Sequence, residues 1–156
     1  MNLYQKLLNQ PVSDLKLREL ITVSPQTTVR QAISKMKQKS IGCVVVVDEH
    51  GRPQGKFTER LLISLLLKTP NGLDEPVGDH MASTWAFVKK TDPIAQVIDH
   101  MDRLKLRFVC VVDDEDRAIA LTGQKSVVEF LADQFPREVK VQLLSSKMYM
   151  DQREGA

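Results

Sequence analysis

The stretch Val44-Val45-Val46-Val47-Asp48 returns 65 residues later as Val109-Cys110-Val111-Val112-Asp113. Each run is apolar, mostly β-branched and closed by an aspartate, a pattern typical of a strand that is covered on both faces. Outward from these runs, residues 11–67 align with residues 76–132 without a gap. A unit of ~57 residues is small for an independent core, so two copies are expected to bury their apolar faces against each other. The sequence therefore predicts one pseudo-symmetric domain with two related clefts.

Composition places the chain among ordinary soluble globular proteins. Its 156 residues are 42% hydrophobic and 27% charged, with a formal net charge of +2 that is spread along the chain and does not by itself indicate polyanion binding. No apolar run is long enough to span a membrane, and Met1–Gln10 lacks the apolar core of a signal peptide. Cys43 and Cys110 fall within the strand patterns and are interpreted as buried free thiols. We therefore expect a cytoplasmic protein.

Each repeat is predicted to be a β-α-β-β-α unit, which makes the fold class α+β with two pseudo-symmetric repeats packed sheet to sheet. In the first repeat Ile21–Val23 is the short opening strand, and Thr27 is the expected N-cap of the following helix. In the second repeat the corresponding cap is Asp92, followed by Pro93 at the first helical position. Apolar residues at i, i+3, i+4 and i+7 form the buried stripe of each helix. These stripes are Val29, Ala32, Ile33 and Met36, and Ile94, Val97, Ile98 and Met101.

The third strands are expected to end near residues 58 and 122, and the closing helices to begin near Glu59 and Gln124. The stretch Leu61–Leu67 is apolar nearly all the way round a helix, which predicts more than one buried face. So large an apolar surface would be an aggregation liability on a monomer. We therefore predict a homodimer.

The chain is divided on these grounds into five segments. They are an N-terminal helix in 1–10, the first repeat in 11–70, a linker in 71–75, the second repeat in 76–135 and a C-terminal extension in 136–156. The extension contains an alternating apolar pattern at 139, 141 and 143 that predicts one further strand.

Motifs of catalysis and metal binding are absent from the sequence. There is no phosphate-binding glycine loop, and the three histidines show no ligand spacing with cysteines or acidic residues. No histidine accompanies Thr58 or Ser126 as a general base. The sequence does not predict an enzyme, and it predicts no metal site and no required cofactor.

Four ordered phrases, partly present in both copies, resemble the CBS domain, named after cystathionine β-synthase. Val77-Gly78-Asp79-His80-Met81 opens the second copy, and Val12-Ser13-Asp14 opens the first less fully. The remaining phrases of the first copy are Thr28-Val29-Arg30-Gln31-Ala32, Val46-Val47-Asp48-Glu49-His50-Gly51 and Gly55-Lys56-Phe57-Thr58-Glu59-Arg60-Leu61. The tandem arrangement, over about residues 11–135, is similar to a Bateman module.

This resemblance implies a stand-alone regulatory module that senses an adenine nucleotide (AMP, ADP or ATP) or a related adenosyl ligand between the repeats. It also implies pairing into a dimer through helices and a protein regulated in trans. Two alternatives stay open: a ligand-independent dimerisation or protein-interaction module, and nucleic-acid binding, which the 5% aromatic content disfavours. No membrane association is expected.

The residues that the resemblance assigns to the ligand differ between the repeats, so one site per chain is expected. They are Thr22, Ser24, Thr58 and Arg60 in the first repeat, and Lys105, Arg107, Gln124, Lys125 and Ser126 in the second. Leu61 and Ser126 stand where the family has a ribose-binding carboxylate, and Gly123 lacks the hydroxyl that Thr58 supplies. We therefore expect weak binding, with Arg107 as the phosphate contact.

Overall fold

The two repeats fold as the predicted β-α-β-β-α units. The computed structural model describes residues 2–83 and 85–135. A short helix α1 (Leu3–Asn9) comes first. The first repeat consists of β1 (Thr22–Val23), α2 (Val29–Lys39), β2 (Cys43–Val47), β3 (Pro53–Thr58) and α3 (Glu59–Lys68). The second consists of β4 (Phe87–Lys89), α4 (Ile94–Leu104), β5 (Phe108–Val112), β6 (Ala118–Gly123) and α5 (Gln124–Gln134). The strand predicted around residues 139–143 lies outside the described residues.

Each repeat builds a three-stranded sheet with the valine strand in the middle. β2 pairs in parallel with β1 and antiparallel with β3, and β5 pairs in the same way with β4 and β6. Rows of paired residues across the two sheets correspond at the 65-residue offset. One such pair of rows is Thr22–Val45–Lys56 in the first sheet and Phe87–Cys110–Leu121 in the second.

Alternation along the central strands creates three apolar clusters. Val44 and Val46 face the helices of the first repeat, and Val109 and Val111 face those of the second. The intervening residues of both sheets meet in a third cluster, in which Cys43 and Val45 join Cys110, Val112 and Leu121. Both central strands are therefore covered on both faces, and both thiols are buried and free.

The segments that open the repeats are exchanged between them. Val12 packs into the core of the second repeat, where its N–H donates to the Asp92 carbonyl at 2.8 Å. Val77 packs into the core of the first repeat, where its N–H donates to the Thr27 carbonyl at 2.8 Å. Each sequence repeat thus completes the core of the other one.

The same exchange covers one edge of each sheet, at β6 and at β3. Arg18 pairs through its backbone with Leu121 on β6, and Ala82 pairs with Lys56 on β3. Since an exposed strand edge is a template for aggregation, these short bridges protect the sheets.

Both predicted helix caps were wrong by one residue. The N-cap of α2 is Thr28, because the Thr28 hydroxyl accepts from the Gln31 N–H at 3.2 Å while the Gln31 side chain accepts from the Thr28 N–H at 3.1 Å. In the second repeat Pro93 is the cap residue. The Asp92 carboxylate instead accepts from the Lys89 N–H at 2.8 Å, which closes the turn before α4.

Helix α3 does not have the several buried faces that its sequence predicted. Leu65 is its buried residue, and Leu61 and Leu62 are only partly buried against the same core. Ile63 is 61% exposed and Leu67 is 82% exposed, because the helix covers its sheet with one side only.

In the described part of the chain, no helix is long and apolar enough to cross a membrane.

Candidate functional site

Two of the predicted ligand residues share the face of the first sheet that looks toward the second. Thr22 on β1 pairs with Val45, and Thr58 at the end of β3 pairs with Cys43. Cross-paired residues point to the same side of a sheet, and both partners belong to the cluster between the sheets. The structure therefore brings these two hydroxyls to the inter-repeat face, on either side of the central strand.

The other first-repeat residues lie at the margins of this face. Thr58 caps α3 by accepting from the Leu61 N–H at 3.4 Å, which leaves its own hydroxyl proton free to donate. Arg60 is exposed in the first turn of α3. The Ser24 hydroxyl follows β1 and lies 3.2 Å from the Thr27 hydroxyl.

In the second repeat the chain brings Arg107 beside the start of α5. Phe108 pairs with Gly123, the residue that precedes the helix, so the backbone of Arg107 adjoins the first turn with Gln124 and Lys125. All three side chains are exposed, and Arg107 makes no salt bridge with any residue the structure describes. A guanidinium beside free helical N–H groups can bind an oxyanion such as a phosphate.

Lys105 and Ser126 serve the fold in ways that the sequence did not indicate. Lys105 is the C-cap of α4 in the left-handed conformation (φ 53°), and its ammonium lies 3.4 Å from the Asp102 carboxylate. Ser126 is 1% exposed, and its hydroxyl donates to the Lys16 carbonyl at 2.9 Å. Ser126 therefore ties the segment after Asp14 to the second repeat.

The two repeats differ in charge at the place that Arg107 occupies. Its counterpart in the first repeat is Gly42, whose carbonyl accepts from the Glu59 N–H at 3.3 Å. The Glu59 side chain folds over this glycine, since a Cβ on Gly42 would lie 3.2 Å from Glu59 Cδ. A carboxylate thus stands in the first repeat where the second presents a guanidinium.

Sequence reasoning missed Lys56, which lies between the sheets. Its residue is 8% exposed, it pairs with Val45 across β2 and β3, and its ammonium has no hydrogen bond or ion pair among the described residues. Burial lowers the pKa of the Lys56 amine and raises the pKa of the Cys43 and Cys110 thiols to about 12. The sequence did offer a signal for this residue: Lys56 is a lysine within a strand, and its counterpart in the second repeat is Leu121.

Paired β-α-β-β-α repeats with facing sheets define a tandem-repeat module, in which α3 and α5 begin at the ends of β3 and β6. The family comparison agrees: a CBS-domain model matches residues 12–68 and again 77–133. The chain belongs to the CBS-domain family.

Several proteins resemble the chain along most of its length. The protein MK0525 of Methanopyrus kandleri is 27% identical over a match that covers 76% of this chain and 61% of that protein. Inosine-5'-monophosphate dehydrogenase of Methanocaldococcus jannaschii is 27% identical over 74% of this chain, but the match spans only 22% of the enzyme.

Solved structures share the fold. The CBS-domain protein ATU1752 of Agrobacterium tumefaciens is 28% identical with a TM-score of 0.67, covering 76% of this chain and 96% of that one. The CBS pair of MJ0100, in complex with 5'-methylthioadenosine and S-adenosylmethionine, is 19% identical with a TM-score of 0.71, covering 80% and 98%. CBSX2 in complex with AMP is 24% identical with a TM-score of 0.68, covering 82% and 99%.

Proposed function

We propose that this chain is a CBS-pair regulatory module that binds an adenine nucleotide or a related adenosyl ligand between its repeats. The observation that carries the proposal is the exposed guanidinium of Arg107 beside the N-terminus of α5, where the first repeat has Glu59 folded over Gly42. Support comes from the adenosyl ligands and AMP held by MJ0100 and CBSX2.

In the proposed complex, positively charged groups bind the phosphate, and hydroxyl groups contact the ligand at the inter-repeat face. Arg107 bonds phosphate oxygens in a bidentate manner, and the N–H groups at the start of α5 with Lys125 add positive potential. Thr22 and Thr58 offer hydroxyls on the inter-repeat face. No carboxylate stands at Leu61 or Ser126 for the ribose, so we expect a dissociation constant of about micromolar or weaker.

Calorimetric titration with millimolar AMP, ADP and ATP tests this function. Arg107→Ala removes a charge-assisted contact and should weaken binding about 10- to 100-fold. Arg103→Ala is the matched control, because Arg103 is also exposed near the end of α4 but pairs with Asp99 at 3.2 Å. Absence of heat with all three nucleotides, or equal affinity in both variants, would contradict the proposal.

A second candidate is a ligand-independent dimerisation or interaction module that acts on a protein in trans. It is favoured by Ile63 on α3 and its counterpart Val128 on α5, which are 61% and 54% exposed. If the protein were a dimer that no nucleotide stabilised in a thermal-shift screen, this candidate would replace the first.

A further inference from the structure

Helix α3 presents an apolar stripe that the described part of the chain does not cover. Leu65 holds the helix against its own core, and the stripe lies on the opposite side. Ile63 and Leu67 are about one helical turn apart and are 61% and 82% exposed, and Leu66 beside them is 38% exposed. A contiguous apolar surface of this kind is characteristic of a contact with another molecule.

Helix α5 presents the corresponding stripe with smaller side chains. At the 65-residue offset Ile63 and Leu67 correspond to Val128 and Ala132, and Val128 is 54% exposed. The stripe of α3 therefore projects further from its helix than the stripe of α5. Two α3 helices in contact would place large side chains against large ones. A contact between α3 and α5 places large side chains against small ones, which allows the helices to pack closely.

The helices of the two repeats also carry opposite net charge. α2 and α3, which cover the same face of the first sheet, hold six basic side chains and one acidic one. α4 and α5 hold two basic side chains and four acidic ones. Salt bridges to Asp74, Glu19 and Arg18 reduce this difference without reversing it. The helices of two first repeats would therefore repel each other, whereas those of a first and a second repeat attract.

We propose that a second copy of this chain covers the stripe in antiparallel orientation, so that α3 of each copy packs on α5 of the other. A twofold axis then relates two equal contacts, each with large apolar side chains against small ones and basic helices against acidic ones. A parallel pair would have two unlike contacts instead, α3 on α3 and α5 on α5. The antiparallel pair needs no nucleotide, so it is independent of the proposed ligand site.

Cross-linking between introduced cysteines distinguishes the two orientations. The native Cys43 and Cys110 are 0% exposed and do not compete for a short bis-maleimide. Ile63→Cys and Val128→Cys are coexpressed in one cell, one of them with an affinity tag, and each is also expressed alone. In the control His50→Cys replaces Ile63→Cys, because His50 is exposed in the turn between β2 and β3, outside the helices.

We expect the coexpressed pair to give a cross-linked species that contains both chains, and each variant alone to give no more than the control. Cross-linking of Ile63→Cys alone, at a yield equal to that of the coexpressed pair, would place α3 against α3 and overturn the orientation. Absence of any cross-link above the control would overturn it as well. A native protein that sediments as a monomer at micromolar concentration would have the same consequence.

Ionic strength provides a second measurement that needs no substitution. Salt screens the attraction between oppositely charged helices, so the dissociation constant of the native dimer should rise about 3- to 10-fold between about 0.05 M and 0.5 M sodium chloride. Sedimentation equilibrium measures this constant. In a parallel pair the basic helices face each other, and screening would lower the constant. An equal or lower constant at high salt would therefore contradict the antiparallel orientation.

Discussion

Gly123 is in direct backbone contact with Arg107: a Cβ at residue 123 would lie well under 3.0 Å from the Arg107 carbonyl oxygen. This contact explains why the second repeat has no hydroxyl where the first has Thr58. Side-chain atoms at 123 would push away the strand start that brings Arg107 to α5. The missing hydroxyl and the placement of the guanidinium are therefore consequences of one local geometry.

Gly123→Ala should lower the free energy of unfolding by about 1–3 kcal/mol, because the obstructing atoms are backbone and cannot rotate away. It should also weaken nucleotide binding by displacing Arg107. Gly42→Ala is the control, since the nearest atoms there belong to the flexible end of Glu59. Urea unfolding and calorimetry measure both effects, and equal stability of the two variants would contradict the explanation.

The turns that follow β2 and β5 differ at one left-handed residue. Gly51 has φ 78°, whereas its counterpart Asp116 has φ 62° and strains a residue with a Cβ. Asp116→Gly should stabilise by about 0.5 kcal/mol, and Gly51→Ala should destabilise by about 1 kcal/mol. Urea unfolding midpoints, compared at a constant m value, show whether each variant is more or less stable than the native protein. Destabilisation by Asp116→Gly would contradict the strain assigned to Asp116.

Acid sensitivity should come in part from the aspartates that close the same turns. Backbone N–H groups, chiefly those of Arg52 and Arg117, lower the pKa of Asp48 and Asp113 from the ordinary value of 3.8. A lowered folded-state pKa gives stability that is present above pH 3.8 and is lost as the pH falls through the folded values. Urea unfolding from about pH 7 to about pH 3 should show a smaller acid loss for the double variant Asp48→Asn, Asp113→Asn. An unchanged pH dependence would exclude these groups.

Ser126→Ala should destabilise the fold by about 1 kcal/mol, because it removes the hydrogen bond that the buried Ser126 hydroxyl donates to the Lys16 carbonyl. Ser34→Ala is the matched control: that hydroxyl donates to the Arg30 carbonyl at 2.9 Å but is exposed, so its loss should cost under about 0.5 kcal/mol. Calorimetry on the same proteins separates the structural role from the ligand role that the family pattern gives Ser126. A loss of affinity without a loss of stability would favour the ligand role.

The exposed side of α3 predicts self-association. Ile63→Glu with Leu67→Glu places two charges on the most exposed apolar residues of that helix and should convert a dimer into monomers in sedimentation. Leu104→Glu, at a 37% exposed leucine on α4, should leave the dimer intact. A native protein that sediments as a monomer at micromolar concentration would rule the prediction out.

Sequence alone predicted the elements whose patterns are local. The valine runs specified buried central strands, and the starts of α3 and α5 at Glu59 and Gln124 were correct. The cap at Thr28 was missed because Thr27 has a hydroxyl too, and only the reciprocal bonds with Gln31 distinguish the two residues. The cap at Pro93 was missed because Asp92 has a side chain that commonly caps helices, whereas here its carboxylate accepts from the Lys89 N–H and no side chain caps α4.

What the sequence left open depends on contacts across the chain. The sequence shows that Val12 and Val77 open the two repeats, but it does not say that each packs into the core of the other repeat. The placement of Lys56 required the pairing with Val45 and the comparison with Leu121. The burial of Ser126 depended on Lys16, which lies 110 residues away in sequence.

The exchange of opening segments bears on how such a chain could have arisen. A chain with only the first repeat would lack Val77 in its own core, and its Val12 would have no core to pack into. A chain with only the second repeat would lack Val12 in its core, and its Val77 would likewise have no partner. A single-repeat ancestor could complete its core only by trading arms with a second molecule. Gene duplication followed by fusion would then have converted an obligate arm-swapped pair into one polypeptide, freeing the two halves to diverge into unlike clefts.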